Sequence, residues 1–155
     1  MMKPEAPDSD QPDALADFPT VIRVPIHWGD QDAFGHVNNT VPIRWFESSR
    51  IAYIAQGCSD LMQDSQKLGP ILASITCNYR RQLRFPDTVR VGARISRLGR
   101  SSLTMEHVIY SESQQAIAAD GISVIVVFNY ETNRPTRISD EIRAAIEQRE
   151  GKSFE

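Results

Sequence analysis

Between residues 29 and 39 the chain reads Gly-Asp-Gln-Asp-Ala-Phe-Gly-His-Val-Asn-Asn, which gathers two carboxylates, an imidazole and two side-chain amides into one short segment. A carboxylate beside an exposed amide N–H can act on an activated carbonyl, either as a nucleophile or as a general base for water. Asp30 and Asp32 are two residues apart, so in an extended loop they point opposite ways and only one can face a common site. Aspartate also bonds its own backbone in turns, and that is the competing role for both. Asn38 or Asn39 is expected to cap a following helix through its side chain. The first-turn N–H groups would then point at an incoming oxygen, where the helix dipole favours negative charge. Pro42 suits a first turn, where its missing N–H costs no intrahelical bond.

Further along, Glu47 falls near Ile43 and Ile54, an apolar setting, with Arg44 and Arg50 three residues away on either side. A structural ion pair is the stronger expectation for it, and a catalytic carboxylate the weaker. His36 either orients a ligand and assists proton transfer or stabilises its turn. His107 alternates with Leu103, Met105 and Ile109 and reads as a satisfied core or interface histidine. Cys58 and Cys77 form no metal-ligand or disulfide pattern, so no metal is expected.

The elements that would position these groups follow from periodicity. Ile22, Val24, Ile26 and Trp28 fall on one side of a strand, and Pro25 places that strand at an edge or a bulge. A helix is predicted over 40–56, stopped by Gly57. Its wheel is apolar on two sides, with Ile43, Phe46 and Ile54 on one and Val41, Trp45 and Ala52 nearly opposite, which implies burial. Four strands are predicted over 71–83, 88–98, 102–113 and 115–130, with short connections that favour an antiparallel meander. Residues 139–149 are expected to form a terminal helix begun by Ser139. Wrapping a curved sheet around the central helix, with a second subunit covering what remains, buries both helix sides. This α+β arrangement is the hotdog fold, about five antiparallel strands around one helix, and a homodimer or homotetramer is expected from its open edges.

Composition bounds the rest. The 155 residues are 41% hydrophobic and 24% charged, enough for one globular domain, and too apolar in their runs for a wholly disordered chain. Residues 1–18 are acidic, proline-containing and without periodicity, and are expected to be a disordered tail ahead of a single domain over 19–150. No stretch is apolar enough to cross a bilayer and no secretory signal opens the chain, so no membrane association and a cytoplasmic location are expected. Residues 80–100 hold seven arginines and one acid, Asp87. Arginine forks suit phosphate or carboxylate, and a solvated strand face is the equal alternative. The arginines alternate with Val and Ile and not with aromatics, which counts against nucleic acid, and no Walker-type loop is present.

The run from Gly29 to Asn39, with Phe46-Glu47 and Arg50, resembles the signature of hotdog-fold acyl-CoA thioesterases of the 4-hydroxybenzoyl-CoA thioesterase family. The similarity extends weakly through Asn78 to Leu83 and Leu98 to Ser102 as far as Val126-Val127-Phe128, covering about 19–148. It implies hydrolysis of an acyl-CoA to free CoA and a carboxylic acid, with no cofactor beyond the coenzyme A of the substrate. It makes Asp32 the catalytic carboxylate and the Asn39 amide the group that polarises the thioester carbonyl. His36 is then an auxiliary candidate, and Glu47 resembles the helix glutamate of another branch of hotdog thioesterases. Where many members carry Tyr three residues after the second Asn, this chain has Pro42. With coenzyme A as the ligand, Arg97, Arg100, Ser101 and Ser102 around Gly99, together with Arg81, become candidate phosphate contacts. A non-catalytic acyl or CoA-binding module and an acyl-CoA hydratase on the same fold are the alternatives.

Overall fold

Val41–Gly57 forms a helix, α1, that sends one face into the protein: Pro42, Trp45, Phe46, Ser49, Arg50, Tyr53 and Ile54 are buried. In the computed structural model, which describes residues 10–62 and 67–154, this helix is cradled by a single antiparallel sheet. The strands are β1 (Thr20–Pro25), β2 (Leu68–Tyr79), β3 (Thr88–Leu98), β4 (Ser102–Ser111), β5 (Ala116–Asn129) and the two-residue β6 (Arg134–Pro135), and Asp140–Glu150 forms α2. The order across the sheet is β1-β3-β4-β5-β2, with β6 pairing β5 beyond this path. The curled sheet around one helix is the hotdog architecture.

Three expectations about the sheet are corrected. β3, β4 and β5 form a meander, but β2 does not continue it: β2 pairs β5, three strand positions from β3. The strand ends at Tyr79, four residues short of the expected range 71–83, because the Arg80 and Arg81 N–H groups both turn to the Ala118 carbonyl. Residues 80–87 are thereby free to cross about 14 Å of sheet end, a span far too wide for a hairpin turn and well within the reach of eight residues. At the other edge, β1 stops at Pro25, and Trp28 opens a 3-10 turn with its ring 74% exposed instead of continuing the strand.

The core is divided along α1. Near its N-terminus, Trp45 and Phe46 pack with Ile26, Leu83, Val89, Val91, Ile109, Ala118 and Ala119. Near its C-terminus, Tyr53, Ile54 and Cys58 pack with inner residues of β3, β4 and β5 and with Ile138, Ile142 and Ile146 from the α2 side. α2 begins as expected, the Ser139 hydroxyl accepting from the Ile142 N–H at 3.2 Å. Gly121 is where the sheet and helix come closest: a Cβ there would lie 2.2 Å from the Thr76 carbonyl oxygen and 2.5 Å from the Phe46 ring.

Part of the stretch expected to be a tail, 1–18, packs on the domain. Residues 1–9 lie outside the described residues, but Leu15 is fully buried and Phe18 lies under the Arg94 guanidinium, 4.6 Å from ring centroid to carbon, against Gly92. One leucine and one phenylalanine anchor a segment whose average composition is polar and acidic. No helix among the described residues is long and apolar enough to cross a membrane.

Candidate active site

The polar loop is built from nested turns. In the 3-10 turn Trp28–Asp30, the Asp30 carboxylate accepts from the His27 N–H at 2.8 Å, so Asp30 serves the backbone. Gln31 and Val37 form an isolated bridge, and beyond it the Asp32 N–H donates to the His36 carbonyl at 2.9 Å. The Gly35 N–H returns to the Asp32 carbonyl at 3.0 Å, with Gly35 at φ +78°, a left-handed conformation that suits glycine. Asp32 and His36 are therefore opposite each other across a small hairpin, and paired residues of this kind send their side chains to one face. Asp32 Oδ1 accepts from the Phe34 N–H at 2.9 Å, and its Oδ2 has no partner among the described residues. The loop is fastened to the 80–87 crossing: the Val37 N–H donates to Leu83 O at 2.8 Å, and the Phe85 N–H to Gln31 Oε1 at 3.2 Å.

The entry to α1 differs in detail from the expected cap. Asn38 Oδ1 accepts from both the Thr40 N–H, at 2.9 Å, and the Thr40 hydroxyl, at 2.7 Å, while Thr40 itself is the N-cap residue and makes no side-chain cap. Asn38 thus closes the turn ahead of the helix, and the Val41 N–H is taken by the Asn38 carbonyl. The Asn39 N–H meets no acceptor among the described residues. Its carbonyl accepts from the Tyr79 hydroxyl, which ties the end of β2 to the start of α1. Tyr79 is 51% exposed, and its pKa is raised from the ordinary phenol value, first by partial burial and then by neighbouring Cys77. In the sequence Tyr79 is one beat of a strand alternation, and nothing in its spacing distinguishes a residue that reaches the helix start from one that merely packs.

Asp32, His36 and Asn39 are brought into one region, with Tyr79 and Arg84 beside them. Glu47 is a correction. It lies on the helix face turned from the sheet, with its side chain 61% exposed and not in an apolar setting. Its carboxylate is 3.9 Å from Arg50 Nη2, so that arm of the expected ion pair forms, whereas Arg44 is exposed and the structure gives it no ion pair with Glu47. Arg50 is only 8% exposed, and burial lowers its pKa while Glu47 opposes that.

His107 is a buried, satisfied histidine, stacked on Phe46 with ring centroids 4.7 Å apart. Its Nδ1 is 3.0 Å from Ser49 Oγ and its Nε2 is 2.9 Å from Ser123 Oγ. Because the Ser49 hydroxyl donates to the Phe46 carbonyl at 2.9 Å, Ser49 accepts from Nδ1–H, and Ser123 donates to Nε2.

The candidate phosphate contacts are split. Arg97, Arg100, Ser101 and Ser102 surround the β3–β4 turn, where the Gly99 N–H donates to Ser102 O and the Val127 N–H to Ser101 O. Arg81 instead lies against Ala118, nine residues back along β5, a distance of about 30 Å at ordinary strand rise. In one chain, therefore, Arg81 shares the Asp32 end and the other four residues the opposite end. Of the seven arginines, Arg80, Arg90 and Arg94 are paired with Asp120, Glu112 and Glu106. Arg81, Arg97 and Arg100 have no carboxylate partner among the described residues and are exposed. Trp28, Phe34 at 84% exposure, and Phe85 give the loop end an apolar rim. No group of three or more His, Cys, Asp or Glu residues that could hold a metal occurs among the described residues.

Known proteins agree with this architecture. A thioesterase from Thermus thermophilus, crystallised with coenzyme A and Zn, superposes with a TM-score of 0.79 at 33% identity, covering 90% of this chain and 99% of that one. The PA2801 protein of Pseudomonas aeruginosa gives a TM-score of 0.72 at 32% identity over 83% of this chain and 98% of its own. The long-chain acyl-CoA thioesterase FadM of Escherichia coli is 23% identical over 76% of this chain and 89% of its own length. Together these relationships support thioester hydrolysis in general terms. A family model described as the Thioesterase-like superfamily matches residues 26–146, and the chain belongs to that superfamily.

Proposed function

We propose that this protein hydrolyses acyl-CoA thioesters, releasing coenzyme A and a carboxylic acid, with Asp32 supplying the carboxylate and the Asn39 N–H polarising the thioester carbonyl. The observation that carries the reading is the Asn39 N–H at the entry to α1, which meets no acceptor among the described residues, on the same loop as an Asp32 carboxylate that has one oxygen held and the other without a partner among them. A carbonyl oxygen that accepts from Asn39 gains negative charge as the acyl carbon becomes tetrahedral, and a donor at the positive end of a helix stabilises that charge. Asp32 either attacks the acyl carbon directly or removes a proton from the attacking water. In both routes the C–S bond breaks, water supplies the hydroxyl of the acid and its remaining proton ends on the thiol. The hydrogen bond from Phe34 holds Asp32 Oδ1 and so aims Oδ2.

Coenzyme A is the proposed leaving group for two reasons. The superfamily match supports thioester chemistry, and a thioesterase of similar fold was crystallised with coenzyme A. Exposed Arg81 at the loop end, and Arg97 and Arg100 at the β3–β4 turn, are proposed as phosphate contacts of different copies in a homo-oligomer, since one chain separates them by most of a strand length. The exposed helix stripe of Arg44, Glu47, Ser48, Ile51 and Ala55, with the unpaired edge of β2, is the surface proposed for that association.

A thiol-release assay over short-chain, long-chain and aromatic acyl-CoAs tests the reading. Release of free CoA from at least one of them is expected. Substrates that raise the melting temperature without any release would make the protein an acyl-CoA-binding module. Consumption of an enoyl double bond with the thioester intact would make it a hydratase.

A further inference from the structure

Arg84, on the 80–87 crossing, places Nη2 3.0 Å from His36 Nε2. A guanidinium has donors only, so a ring that makes this contact must offer the lone pair of Nε2. The proton of the neutral ring is then on Nδ1, the nitrogen beside its own backbone. No other group among the described residues takes up Nδ1. His36 lies opposite Asp32 across the hairpin, and the hairpin is itself anchored to the Arg84 segment through Leu83 O and the Phe85 N–H. Arg84 has no carboxylate partner among the described residues, which leaves its fork directed at the imidazole.

We infer that Arg84 is a positioning residue: by donating to Nε2 it selects the Nδ1–H tautomer of His36, so that His36 presents a hydrogen-bond donor, and not a lone pair, on the hairpin that carries Asp32. The hydrogen bond made by one ring nitrogen decides the protonation of the other, and here it is made from a separate segment that cannot rotate with the ring. A donor beside the carboxylate suits a carbonyl or a departing sulfur, both of which gain negative charge as the acyl carbon reacts. The kinetic part of this inference rests on the thioester-hydrolysis reading; the tautomer does not.

The test joins nitrogen-15 NMR of the imidazoles with kinetics on wild type, Arg84→Met and Arg84→Lys. Only three histidines are present, and His36→Gln assigns the signal. At pH 8.5 the wild-type His36 ring is expected to carry its single proton on Nδ1. Arg84→Met should move population to Nε2–H and lower kcat about tenfold, less than the loss of a general acid or base, with KM within about twofold. Arg84→Lys, which keeps a donor, should lie nearer wild type in both readouts. A wild-type ring protonated on Nε2 overturns the inference, and so does an Arg84→Met variant whose tautomer is unchanged, whatever its activity. A raised KM at constant kcat would also overturn it, because Arg84 would then contact the substrate itself. A wild-type protein that releases no thiol refutes the hydrolysis reading and leaves the tautomer result standing.

Discussion

Two histidines in this chain sit in opposite surroundings. His107 has both ring nitrogens occupied by serines and a phenylalanine stacked on its face, at the buried seam between α1 and the sheet. His36 has one nitrogen held from a neighbouring segment and the other without a partner among the described residues, on a half-exposed hairpin. The first arrangement leaves nothing for a ligand and fixes the helix on the sheet; the second is incomplete and carries its neighbours Asp32 and Asn39 in the same condition. Polar groups that a fold fully satisfies belong to its architecture, whereas those it orients and leaves open at the surface are the ones available to another molecule.

The seam is the place to break that contrast most severely. Gly121→Ala puts a Cβ into the Thr76 carbonyl and the Phe46 ring, which lies on His107, so the variant should lose about 3 kcal/mol of stability, the upper end of ordinary overpacking. Urea titration would measure it. A variant as stable as wild type would mean that the seam is looser than its geometry indicates.

Acid sharpens the same contrast through protonation. Burial, with the nearby Arg50 charge second, pushes the His107 pKa down to about 3 from an ordinary value of 6.5. As pH falls through about 6.5 the unfolded chain binds a proton that the folded ring refuses until about pH 3, so stability declines across that window. The slope from this one group approaches 1.4 kcal/mol per pH unit, or about 2 kcal/mol between pH 6.5 and 5. Carboxyls held low by arginine, such as Glu112 beside Arg23 and Asp120 beside Arg80, act only at lower pH, because their ordinary values are 4.5 and 3.8. His107→Gln should flatten the dependence between pH 6.5 and 5, and an unaltered slope would assign the acid sensitivity elsewhere.

Smaller effects are expected where side chains serve only turns or the surface. Asp30→Asn keeps an acceptor for the His27 N–H and should change turnover by no more than a few-fold. Glu47→Gln should shift stability by less than about 0.5 kcal/mol, since its ion pair with Arg50 is long and its carboxylate exposed. If Glu47→Gln abolished turnover while folding normally, catalysis would move to the helix.

Much of the scaffold was legible in the sequence because its signals are local. The alternation in β3 and β4, the turn residues around Gly35 and the Ser139 cap each act within a few residues. The sharing of β2 with β5 was not, since the alternation of Ile71 to Tyr79 shows that a strand exists and not which edge it joins. The same holds for the arginines: seven in one stretch read as one patch, yet the sheet spreads them over both of its ends and pairs three with acids. Glu47 misled because its helix is apolar on two sides, and only the sheet shows which side is covered. Asp32, Asn39 and His36 were recognisable as a group because they share one short loop. The reach of Tyr79 and Arg84 to that loop depends on tertiary contacts.

The most direct measurement is thiol release by wild type and Asp32→Asn on the best acyl-CoA of the panel, with melting temperatures taken alongside. Asparagine keeps the acceptor that holds the Phe34 N–H but cannot act as a base or carboxylate nucleophile, so turnover should fall by about 10² or more while the melting temperature stays near wild type. An Asp32→Asn protein that remains folded and turns over at the wild-type rate would contradict the assignment of the chemistry to this loop.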